Sequence, residues 1–70
     1  MNPLTQLKQM FEQDTKGYIY MRQLEQVSRS KMLIRDIARQ YGYYPVYARR
    51  GHIPLAYQHH TLPNDHLTSQ

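Results

Sequence analysis

Apolar positions recur at helical spacing near the start of the chain: Leu4, Leu7, Met10 and Phe11 alternate with Gln6, Lys8, Gln9 and Glu12. One turn of a helix returns a side chain to the same face after three or four residues, so this stretch predicts an amphipathic helix to about Gln13. Asn2 supplies an N-cap oxygen, and Pro3 suits the first helical position. Asp14, Thr15, Lys16 and Gly17 then predict a turn, with Gly17 free to take the left-handed conformation. Tyr18, Ile19 and Tyr20 favour extended structure and suffice for one short strand. Between residues 21 and 41 two patterns compete. Tyr20, Leu24, Val27, Ile34, Ile37, Ala38 and Tyr41 share one face of a continuous helix, but Ser30 and Lys31 interrupt that stripe. Two serines coincide with the gap, which favours two helices with Ser28 or Ser30 as the second N-cap. Gly42 closes the helical region.

The stretch YPVYARRGHIPLAY, residues 44–57, reads as a β-hairpin. With Arg50 and Gly51 as a two-residue tip, Arg49 faces His52, and the following pairs are Ala48/Ile53, Tyr47/Pro54, Val46/Leu55, Pro45/Ala56 and Tyr44/Tyr57. Side chains alternate across a strand, so this register gathers Tyr44, Tyr57, Val46, Leu55, Ala48 and Ile53 into an apolar underside. Gly51 is expected to need a positive φ, and Pro54 marks its strand as a sheet edge because it lacks a ladder donor. Among the tyrosines, Tyr41, Tyr44 and Tyr57 are assigned to the core, while Tyr47 points away from it. A hairpin is marginal alone and must lie on the preceding helices.

Seventy residues make one domain with a thin core. We read residues 1–60 as that domain and 61–70 as a disordered polar tail. The chain has no Cys, which excludes disulfides and thiolate metal sites and makes a reducing cytoplasm the expected location. No apolar run approaches the roughly 20 residues that cross a bilayer, and the polar start does not read as a signal peptide. Nine Lys and Arg against five Asp and Glu leave a net charge of +4, which makes polyanions plausible partners.

The stretch VSRSKMLIRDIARQYGYYPVYARRGHIPL resembles the recognition helix and wing of small winged helix-turn-helix regulators of the DeoR or FeoC-like kind. The resemblance rests on Val27 and Ser28 entering the helix, Arg35 and Asp36 within it, and Gly42 closing it before the wing. It covers residues 18–57 and implies an α+β fold of three helices, a C-terminal β-hairpin and a short third strand. The chain departs from the pattern in the short helix before the turn, in Leu33 and Ile34 where polar residues are common, and in having no wing cysteines.

The residues point the same way without the family. On a helix from Arg29 to Tyr41, the apolar residues turn inward and leave Arg29, Met32, Arg35, Asp36 and Arg39 outward or at the border. Arginine makes bidentate contacts to guanine edges in the major groove, and other cations hold phosphates. The candidate nucleic-acid contacts are Arg29, Ser30, Lys31, Arg35 and Arg39 on the helix, with Tyr47, Arg49, Arg50 and His52 on the wing. Double-stranded DNA is the expected partner, bound by a homodimer without a cofactor; the first helix could form the dimer contact. One rival is a protein-interaction module or inhibitor that uses Met32, Leu33 and Tyr47. A second is a solvated face whose arginines pair with Asp36 or Glu25, and a third is RNA binding by a tyrosine-rich sheet. His59, His60, His66 and Asp65 offer metal-ligand atoms without fixed geometry and read as solvated. Neither a phosphate-binding glycine loop nor a poised pair of carboxylates is recognisable, so enzymatic activity is not expected.

Overall fold

A computed structural model of the chain describes residues 2–61. The element order is α1 (Pro3–Gln13), β1 (Tyr18–Tyr20), α2 (Met21–Glu25), α3 (Lys31–Gln40), β2 (Tyr43–Tyr47) and β3 (Pro54–His59). This is a small α+β arrangement of three helices and one antiparallel three-stranded sheet in the order β1-β3-β2. Thr61 is exposed, and the rest of the predicted polar tail lies outside the described residues.

Local chemistry sets most element boundaries. The Thr5 N–H donates to Asn2 Oδ1 at 2.8 Å, capping α1 with Pro3 in its first turn. Beyond α1, Asp14 accepts from the N–H groups of Lys16 (3.3 Å) and Gly17 (2.7 Å), and Gly17 takes φ +76° to turn the chain into β1. The helical region is broken, as the two serines suggested. Ser30 caps α3 by accepting from the Leu33 N–H at 3.2 Å, and Ser28 Oγ accepts from the Ser30 N–H at 3.1 Å. Gly42 follows α3 at φ +82°, where its N–H donates to the Arg39 carbonyl.

Leu7 and Phe11 from α1, Ile19, Met21 and Leu24 from β1 and α2, Ile34, Ile37 and Ala38 from α3, and Tyr43 and Tyr57 from the sheet form one core. Phe11 stacks at 6.1 Å on Tyr41 and meets Tyr43 edge-on at 4.9 Å. Leu33 packs partly against this core and Ile34 is fully buried, which accounts for apolar residues at those helix positions.

The hairpin departs from the expected register. Tyr47 does pair with Pro54, but the next pairs are Val46 with Ala56, Pro45 with Tyr57, Tyr44 with Gln58 and Tyr43 with His59. A bulge between Val46 and Tyr47 leaves Leu55 without an opposite residue and shifts all later pairs by one. The inward face therefore carries Tyr43, Pro45 and Tyr57, not the expected underside. Tyr57 remains in the core, and Tyr41 packs against it. Tyr44, Ile53 and Leu55 are about half exposed, and Ala48 is exposed.

Two further expectations are corrected. The strand beginning with Pro54 is central, between β1 and β2; proline is tolerated because β1 pairs with β3 only from Ala56 to Gln58, beyond it. Pro45 sits on the edge strand β2 instead. Nor is the tip a two-residue turn, because residues 48–53 form the loop, closed by the Gly51 N–H donating to the Ala48 carbonyl at 3.1 Å. Arg49 and Arg50 occupy the centre of that turn, and Gly51 has no positive φ.

Candidate nucleic-acid interface

Helix α3 sorts its side chains strictly. Ile34, Ile37 and Ala38 are buried, while Lys31, Met32, Arg35, Asp36, Arg39 and Gln40 are exposed. Arg35 and Arg39 are one turn apart on the outward face, with Met32 beside them at 72% exposure. Arg29 precedes the helix and lines a shallow cleft with Lys31 and Glu25 at the α2–α3 turn. Ser30 is the N-cap, so its hydroxyl oxygen is engaged with the backbone. None of these cations makes an ion pair among the described residues.

Helix α3 packs against β2 of the hairpin, and Tyr57 of β3 joins the same core. The Tyr57 phenol is pushed above the ordinary tyrosine value chiefly by burial; the nearby Tyr47 phenol adds to the rise, and the Arg35 guanidinium opposes it. Tyr47 is 53% exposed. Arg35 is exposed on the outward face of α3, and Arg49, Arg50 and His52 are exposed on the loop that follows Tyr47. The structure separates Leu33 from the apolar patch expected of a protein-binding surface, since Leu33 packs inward.

The histidines have structural neighbours. The His59 and His60 rings stack at 4.9 Å; the His60 N–H donates to the Gly42 carbonyl at 3.0 Å, and Tyr43 meets His59 edge-on at 5.0 Å. Among the described residues no group of three His, Cys, Asp or Glu side chains could hold a metal, and His66 and Asp65 lie outside them. Also among the described residues, no helix is long and apolar enough to cross a membrane.

Two tyrosine–carboxylate bonds hold α1 to the entry of the hairpin, and the sequence pattern did not reveal them. The Tyr41 hydroxyl donates to Glu12 Oε2 at 2.6 Å, and the Tyr43 hydroxyl donates to Asp14 Oδ2 at 2.5 Å. Each bond spans 29 positions, so no local signal could have found it. Comparison with known proteins returns no match to a family model, a curated protein or a solved structure.

Proposed function

We propose that this chain is a small winged helix-turn-helix protein that binds double-stranded DNA as a regulator or accessory factor, in the cytoplasm and as a homodimer. The observation that carries the reading is the cationic face of α3, with Arg35 and Arg39 outward, next to a hairpin whose tip presents Arg49 and Arg50. The order helix, strand, helix, helix, strand, strand also agrees with that family resemblance. In this reading Arg35 and Arg39 enter the major groove, while Arg29, Lys31, Arg49, Arg50 and His52 hold the flanking backbone and Tyr47, exposed at the end of β2, stacks on a base or sugar.

Fluorescence anisotropy with a random duplex pool at several salt concentrations tests it. The logarithm of the binding constant should fall linearly with log salt at a slope of about −3 to −6, the footprint of these cations. Arg35→Ala should cost roughly 1–3 kcal/mol of affinity without changing the melting temperature, and Arg49→Ala should lower the slope by about 1. Absence of duplex binding at low salt sinks the proposal. The exposure of Met32 and Tyr47 favours a second reading, a surface for a protein partner. That reading expects Met32→Ala and Tyr47→Ala to abolish a specific pull-down that Arg35→Ala leaves intact.

A further inference from the structure

A second concavity shares no residue with the cationic surface. It lies where the end of α1, the 14–17 turn, β1 and the start of α2 meet, and its volume of about 520 Å³ falls in the range of small-molecule sites. Met10 and Ile19 give it apolar lining, and Tyr18 and Tyr20 supply its aromatic wall. These two rings stand almost perpendicular, 85° apart with centroids 5.3 Å from each other. Tyr20 is 48% exposed, which leaves aromatic surface beside the cleft open to a planar group.

The polar lining narrows the ligand. Asp14 borders the cleft, but its oxygens already accept from the Lys16 and Gly17 N–H groups and the Tyr43 hydroxyl. The exposed Lys16 side chain is the only cationic group in the lining and forms no ion pair among the described residues. Gln23 Oε1 accepts from the Tyr20 N–H at 3.1 Å, which leaves its amide NH₂ to donate, and Gln13 presents a second amide. An aromatic corner, hydrogen-bonding amides and one unpaired ammonium match a flat heterocycle that carries an anionic group.

We infer that this cleft binds a nucleotide through its base and phosphate: the base stacks at the Tyr18–Tyr20 corner, Gln13 and Gln23 bond its edge, and Lys16 holds the phosphate. A free mononucleotide and an unpaired nucleotide of a single strand share this chemistry. The site is independent of duplex binding by α3 and the wing.

The test is nitrogen-15 NMR of the full chain, titrated separately with adenosine and uridine 5′-monophosphates, with the corresponding nucleosides and with a short mixed-sequence single-stranded oligonucleotide. Saturable shifts should centre on residues 13–23, and Tyr20→Ala should weaken binding at least about fivefold, as expected for loss of a stacked base. Tyr20→Leu, which keeps apolar bulk without a ring face, should weaken it similarly while retaining the folded spectrum. Lys16→Gln should weaken the nucleotides but not the nucleosides, and Arg35→Ala should change neither. Comparable mononucleotide and oligonucleotide affinities assign a free nucleotide, whereas an oligonucleotide preference of roughly tenfold or more assigns a single strand. The inference is overturned if neither the mononucleotides nor the oligonucleotide give saturable shifts, or if the shifts fall on α3 and the wing and disappear with Arg35→Ala but not with Tyr20→Ala.

Discussion

The two ends of the hairpin are built on opposite terms. At its base, Tyr43 and Tyr57 are buried, the Tyr43 hydroxyl is bonded to Asp14, and Gly42 is crowded by both histidine rings. Toward its tip, Tyr47, Ile53 and Leu55 are about half exposed, a bulge interrupts the ladder, and the turn carries Arg49 and Arg50. Stability is concentrated at one end and chemically available surface at the other. Substitutions at the base should therefore act on folding, while those at the tip should act on binding.

Asp14→Ala should separate the ends most strongly. It removes an acceptor used by the backbone N–H groups of Lys16 and Gly17 and by the Tyr43 hydroxyl, so denaturant unfolding should show a loss of about 2–4 kcal/mol. Gly42→Ala follows at about 2 kcal/mol, because φ is +82° and a Cβ would approach His59 Nε2 to 3.1 Å and the His60 ring to 3.2 Å. A smaller loss, about 1–2 kcal/mol, is expected for Tyr43→Phe, which leaves Asp14 its two backbone donors.

The Tyr43 hydroxyl also carries a pH signature. Burial first, then its bond to Asp14 and the carboxylate charge, raise it well above the ordinary 10.0. The folded chain thus holds this proton more tightly than the unfolded chain. The resulting stability is fully present below about pH 10 and is lost as pH rises toward the folded-state value. Tyr41 and Tyr57 are shifted in the same direction. Unfolding curves across this alkaline range should fall less steeply for Tyr43→Phe than for wild type.

The smallest effect belongs to the tip. Gly51 lacks a positive φ, and an added Cβ would come no closer than 3.4 Å to a neighbour, so Gly51→Ala should leave stability within about 0.5 kcal/mol. A loss comparable to that of Gly42→Ala would abolish the contrast between the ends.

What was legible in the chain was local. Asn2, Gly17, Ser30 and Gly42 act within three or four residues of themselves, and each marks its boundary as expected. The outward Arg35 and Arg39 followed from helical periodicity alone. The strand register was not legible, because Leu55 fits an apolar alternation equally well whether it is paired or bulged. Choosing Tyr43 over Tyr44 for the core depends on Phe11 and Asp14, a whole helix and more away in sequence. The Tyr18–Tyr20 cleft was hidden for a similar reason, since its walls come from three elements that meet only after folding.

Helix α2 carries a consequence for dynamics. Its five residues amount to little more than one turn, too few to offset the cost of helix nucleation in isolation. Met21 and Leu24, buried under the rest of the core, keep it wound. Opening α2 alone would expose both side chains, so its amides cannot fray as those of a long surface helix do. The Leu24 carbonyl also accepts from the Val27 and Ser28 N–H groups in the turn after α2, so these amides should exchange more slowly than the exposed end of α1 in deuterated solvent. The shortest helix thus depends on the core for its persistence, not on its own length.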